Sequence, residues 1–173
     1  VMQGPVIRNI VKGIAGIAPQ RRLPRFASQT FRSWFRERKN WLLSGERPQV
    51  ILWTDTFNNN FKPETLVAGL DVLEAAGFEV LIPKTNLCCG RPLYDYGMLN
   101  TTRRLLNDIM SSLKKEIHAG IPIVGLEPSC VAVFRDELTG LFPDSEEAKR
   151  LQEQTYTLTE FLQKYVPDLN LPK

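Results

Sequence analysis

Cysteine and histidine are scarce in this chain: its 173 residues include three cysteines and a single histidine, His118. That histidine falls near the C-terminal end of a helical pattern, so no convincing Ser/His/Asp or Cys/His arrangement can be assembled for nucleophilic catalysis. No C-x-x-C pair occurs, which removes the usual signature of a thiol–disulfide oxidoreductase or a zinc knuckle. Three cysteines cannot all pair within the chain, and the adjacent Cys88 and Cys89 bridge each other only with severe strain. A secreted disulfide scaffold is therefore a poor fit, and a reducing, cytoplasmic setting is expected. The chain also lacks a G-x-G-x-x-G run and a Walker sequence, the marks of dinucleotide and P-loop sites. With no stretch of about 18 apolar residues, no segment is expected to span a bilayer as a helix. The opening Val1-Met2-Gln3-Gly4 is not a usual initiator and no signal-peptide cleavage pattern follows it, which reads as a piece of a longer polypeptide.

What is present suits one folded unit. Hydrophobic residues make up 43% and charged residues 24%, enough for one core and against wholesale disorder. The net charge of +3 is unevenly placed. Residues 1–47 hold ten Lys/Arg against two Glu, whereas residues 48–173 hold twelve against seventeen acids. A basic, aromatic helical arm or interdomain linker (1–47) thus precedes a mildly acidic domain (48–173). Because the positive charge is confined to the arm, no nucleic-acid partner is expected.

Within the arm, Val6–Ile17 reads as a short helix. A second helix is expected from an N-cap at Ser28 to about Leu43, ended by Ser44-Gly45. Its stripe of Phe31, Trp34, Phe35, Arg38, Trp41 and Leu42 fits packing on a core, lying in a membrane interface, or docking on a neighbouring domain. The interface option makes peripheral association with an inner membrane an expectation to carry forward. After Pro48, the apolar run Val50–Trp53 predicts a buried strand, and Thr54–Lys62 a polar loop. A helix follows from Pro63 to Gly77, then a strand at Phe78, Val80 and Ile82, and a loop at Lys84–Tyr94. A long helix is expected over Gly97–Ala119, a third strand over Ile121–Leu126, and a helix over Val131–Leu138. Residues 139–154 read as a charged surface excursion. Tyr156–Leu158 reads as a fourth strand, with Thr159 capping a last helix to Tyr165.

This alternation predicts an α/β fold with an open parallel sheet, a flavodoxin/Rossmann-like three-layer arrangement. Parallel strands put every strand-to-helix loop at one edge. The loops carrying Asp55, then Cys88-Cys89-Gly90-Arg91, then Glu127-Pro128-Ser129-Cys130 should therefore meet at one crevice. Cys88, Cys89 and Cys130 are candidate metal or iron–sulfur ligands, and Gly90 a candidate cofactor-binding position where a tight turn and close approach are needed. Buried structural thiols and thiol redox chemistry remain open alternatives. Asp55 can cap a turn or act as a site acid. Glu127 can order the Cys130 loop through backbone donors, and Arg91 can neutralise thiolates or pair with a loop acid.

At Leu87-Cys88-Cys89-Gly90-Arg91-Pro92 and Gly125-Leu126-Glu127-Pro128-Ser129-Cys130 the chain resembles the cysteine-rich CCG domain family. That domain is found in heterodisulfide reductase, in iron–sulfur subunits of glycolate oxidase and anaerobic glycerol-3-phosphate dehydrogenase, and at the C-terminus of FAD-linked D-2-hydroxyacid dehydrogenases. Trp53–Phe57, Val80–Pro83 and Glu160–Leu162 fit the same pattern, over about residues 48–166. The resemblance implies an electron-transfer domain with an iron–sulfur cluster such as 4Fe-4S at Cys88, Cys89 and Cys130, relaying electrons from flavin to an acceptor. It further implies FAD in a missing domain, flavin and ferredoxin-like domains as neighbours, and a second cysteine-rich repeat. A family repeat also carries a cysteine near Asp55 or Thr56 and one at the Val133 position, and neither is present here. The alternative is a cofactor-free structural or docking domain of the same multidomain protein.

Overall fold

The computed structural model describes residues 5–38 and 47–169. Four short strands, β1 (Gln49–Trp53), β2 (Glu79–Leu81), β3 (Ile123–Gly125) and β4 (Thr155–Thr157), form one parallel sheet in the order β2-β1-β3-β4. β1 pairs with β2 through Val50 and Val80, and with β3 through Leu52 and Val124.

β1 is apolar from Val50 to Trp53 because both of its faces are covered there, the usual condition of a central parallel strand. Ile51 and Trp53 point into one core with Leu106, Ile109, Ile117, Val133 and Phe134. Val50 and Leu52 point into the other, with Phe31, Leu66, Leu70, Leu73 and Phe161. The first core is roofed by α6 (Leu99–Ser112), α7 (Lys114–His118), α8 (Pro128–Ala132) and α10 (Glu146–Glu153). The second is covered by α2 (Phe31–Glu37), α4 (Pro63–Ala75) and α11 (Leu158–Tyr165). This is the expected three-layer α/β arrangement with a four-stranded parallel sheet.

Several local expectations are corrected. Residues 54–62 are not all loop: α3 (Thr56–Phe61) forms there, started by Asp55, whose carboxylate accepts from the Asn58 amide at 2.9 Å. The expected long helix is two, because α6 ends at Ser112 and α7 begins at Lys114 around a buried Leu113. The supposed excursion at 139–154 contains α10, capped by Ser145, which buries Ala148 and Leu151. Thr157, not Thr159, caps α11, in a reciprocal box with Glu160. α8 starts earlier than expected and runs through a π turn (Val133–Glu137) into α9 (Leu138–Leu141). An unexpected α5 (Arg91–Asp95) follows the cysteine pair. In the arm, α1 spans Pro5–Ile14, and Thr30, not Ser28, caps α2. Phe31 and Phe35 are buried, so α2 packs on the sheet. The expectations for Trp41, Leu42 and Ser44-Gly45 lie outside the described residues.

Candidate functional site

The carboxyl-terminal edge of the sheet gathers the three loops. A pocket of about 170 Å³ opens there, lined by Trp53 and Asp55 after β1, Cys88, Cys89 and Arg91 after β2, and Cys130 after β3, among others. Two glycines set its geometry. Gly90 adopts φ +77°, a left-handed conformation that turns the chain from Cys89 directly into α5. Gly125 ends β3 so closely beneath α8 that a Cβ would lie 2.6 Å from Val131 Cγ2, which lets α8 carry Cys130 up against the sheet edge.

The thiols are turned toward one another. Cys89 Sγ lies 3.0 Å from Cys130 Sγ, and the two residues are 5% and 6% exposed. Cys88 is half-buried and faces the same pocket. The hydrogen bond with Cys130, together with burial, pushes the Cys89 thiol up to about 12, although contact with Cys88 acts in the opposite direction. Cys88 is raised further, first by its hydrogen bond with Cys89 and then by burial. Nearby amide donors, Gly90 for Cys88 and Arg91 for Cys89, pull the other way without prevailing. At neutral pH both groups are therefore thiols, not thiolates, and poor nucleophiles.

The charged residues of the crevice are committed elsewhere. Asp55, 2% exposed, spends both carboxylate oxygens on Asn58, taking its backbone amide and, at 2.8 Å, its side-chain amide. Its role is that of a cap. Glu127 caps α8 and accepts from the Ser129 hydroxyl at 2.8 Å, which orders the Cys130 turn. Arg91 pairs with Asp95 at 3.0 Å and with Glu137, so it ties α5 to the π turn. His118 lies 3.6 Å from Glu147 at the far end of α7, away from the crevice.

An iron–sulfur cluster can be tested against this donor set. Cys88, Cys89 and Cys130 are the only thiols of the chain. Val133, at the position of a further family cysteine, is fully buried in the core, and Asp55 is consumed by its cap. Among the described residues, no three Cys, His, Asp or Glu side chains are arranged to hold a metal ion. A cubane cluster requires four protein ligands in the usual case, so the residues of this chain do not by themselves fit one. One polar group beside the thiols is unsatisfied: the buried indole Nε1–H of Trp53, a pocket-lining residue, has no hydrogen-bond partner.

Sequence reasoning missed a second, adjoining cavity of about 320 Å³, which shares Thr56, Leu87 and Cys88 with the first and is walled on its other side by Arg32 of α2. The arm-like composition around Arg32 gave no sign that its side chain reaches the sheet edge. No helix among the described residues is long and apolar enough to cross a membrane.

Residues 55–135 match the CCG family, described as a cysteine-rich domain. Lactate utilization protein A of Bacillus subtilis (strain 168) is 28% identical over 118 residues, which cover 66% of this chain and 48% of that protein. The protein of the same name from Bacillus licheniformis is 30% identical over 118 residues, with the same coverage of 66% and 48%. The C subunit of anaerobic glycerol-3-phosphate dehydrogenase from Escherichia coli (strain K12) is 26% identical over 132 residues, 76% of this chain and 33% of that protein. The chain thus spans about half the length, or less, of these curated relatives. No solved structure matches it. The segment from Asp55 to Arg135, with its cysteines on one sheet edge, matches the cysteine-rich domain of the CCG family and is related to lactate utilization protein A and to the C subunit of anaerobic glycerol-3-phosphate dehydrogenase.

Proposed function

We propose that this chain is a cofactor-free docking domain of an oxidoreductase assembly acting on a small hydroxylated acid or phosphate. In this reading the cysteine crevice serves as a structural and contact surface. The observation that carries it is the use of the thiols on each other, Cys89 Sγ against Cys130 Sγ at 3.0 Å, with the two further ligand positions of the family pattern given over to a helix cap and a core valine. The rim of the crevice suits contact with a partner: Phe57, 64% exposed, lies tilted against Phe61 with ring centroids 5.8 Å apart and lines the pocket. Exposed aromatic area beside a concave edge is characteristic of an interface.

The electron carriers then reside elsewhere in the assembly: FAD in a flavin domain, and iron–sulfur clusters in a ferredoxin-like domain and a second cysteine-rich repeat. The names of the relatives, one for lactate utilization and one for glycerol-3-phosphate dehydrogenation, support that setting. Reduced thiols fit the cytoplasm. The exposed Ile7, Ile10 and Ile14 of α1, in an arm rich in arginine, support peripheral contact with an anionic membrane such as an inner membrane.

A second reading, the electron-relay domain, is favoured by one observation. The unpartnered Trp53 N–H is costly where it is buried and belongs to the pocket that half-buried Cys88 also lines, where the sulfur of a cluster completed by thiols from another repeat would give it an acceptor. Variants in the assembled oxidoreductase separate the two. With docking as the role, Phe57→Asp weakens assembly while Cys88→Ala leaves assembly and electron transfer unchanged. Loss of electron transfer in Cys88→Ala, with assembly intact, would show the relay instead.

A further inference from the structure

The 320 Å³ cavity beside Cys88 is lined by a buried cation, Arg32, that no carboxylate of the described residues pairs with. Arg32 is only 8% exposed, yet it takes part in none of the ion pairs of the described residues. One guanidinium nitrogen, Nη1, donates to Thr54 Oγ1 at 3.1 Å, and Thr54 lines the same cavity. Nε and Nη2 have no partner among the described residues, and the Arg32 side chain lines the cavity. Arg36, whose Nε bonds the Arg32 carbonyl, adds a second positive charge nearby; burial and this neighbour both pull the Arg32 guanidinium below its ordinary range. A buried charge without a partner is expensive, and a fork of free N–H donors has a definite complement.

Asn59 repeats the pattern. It is 8% exposed, and its Oδ1 is fixed by the Arg32 backbone amide at 3.0 Å. Its Nδ2 has no partner among the described residues, and Asn59 lines the cavity beside Arg32. Asp108 supplies one exposed carboxylate at the wall, which disfavours a doubly charged guest.

From this placement we infer that the cavity between α2, α3 and α6 is a binding site for a small monocarboxylate, held bidentately by Arg32 and seated by the Asn59 amide. A planar carboxylate matches the two free guanidinium donors. At about 30 Å³ per water the cavity has room for an acid of several carbons. Although Cys88 forms part of the wall, the proposed ligand contacts come from Arg32 and Asn59 alone, so the site stands or falls separately from the docking role.

The test is solution NMR of the full chain titrated with propionate, with its neutral isostere propionamide, and with inorganic phosphate. The readouts are the Arg32 Nε–H and Asn59 Nδ2–H resonances. Propionate is expected to shift both saturably, propionamide neither, and phosphate to bind more weakly than propionate. Arg32→Lys keeps the charge but loses the fork, and should weaken propionate by about tenfold or more. Shifts produced equally by propionate and propionamide, or none with propionate on the unaltered protein, would overturn the site. Unchanged propionate affinity in a folded Arg32→Lys variant would also overturn it, as would phosphate binding as tightly as propionate.

Discussion

Cys89 illustrates how a side chain's neighbours decide its chemistry. Its contact with Cys130 and its burial raise the thiol from the ordinary 9.0 to about 12. Because the folded state holds this proton more tightly than the unfolded chain, the corresponding stability is intact below about pH 9 and is lost as pH climbs toward 12. Each such group can remove up to about 1.4 kcal/mol per pH unit within that window. Chemical denaturation at pH 8 and again above pH 10 should show a shallower alkaline loss in Cys89→Ala than in the unaltered protein; equal losses would mean the thiol is not held protonated. Gly90 acts through its backbone. An alanine there meets Leu105 and Thr102 at 3.4 Å, ordinary contact at its tight limit, but must take φ +77°. Gly90→Ala should therefore cost about 1–2 kcal/mol from conformation, read as a lowered denaturation midpoint with an unchanged slope.

Among the elements, α2 carries the largest consequence. Phe31 is fully buried against Leu66, Leu70 and Phe161, although it belongs by composition to the basic arm. Phe31→Ala should cost about 3 kcal/mol or more, measurable by urea denaturation; a loss below about 1 kcal/mol would mean that α2 is merely draped on the sheet. The central strand and the flanking helices α4 and α11 were legible in the sequence because burial on two faces writes a continuous apolar run, and burial on one writes a helical stripe. α3 was not legible. Its Thr-Phe-Asn-Asn-Asn-Phe carries turn-forming residues and almost no apolar face, and only the Asp55 cap signals a start. α10 hid for a similar reason, since Ala148 and Leu151 are its only buried residues among Glu, Lys and Arg. The close packing of α8 on Gly125 left no periodic trace at all, because a missing side chain has no pattern.

For the molecule as a whole, the convergence of three loops at one sheet edge followed from parallel topology, and the three cysteines duly meet there. The state of those cysteines did not follow from it. That Cys89 and Cys130 face each other and that Arg91 turns to Glu137 depends on side-chain packing across elements far apart in sequence. The Arg32 cavity is likewise a tertiary product, made by α2 closing over the end of β1. The proposed docking role predicts that these thiols carry no cluster. The most direct test is iron and acid-labile sulfide analysis, with electron paramagnetic resonance, of the protein purified anaerobically in its native assembly. The unaltered protein is compared with a variant carrying Cys88→Ala, Cys89→Ala and Cys130→Ala together. Equal iron and sulfide in the two is the expected result. An excess of about four iron and four sulfide in the unaltered protein, one cubane cluster, would contradict it.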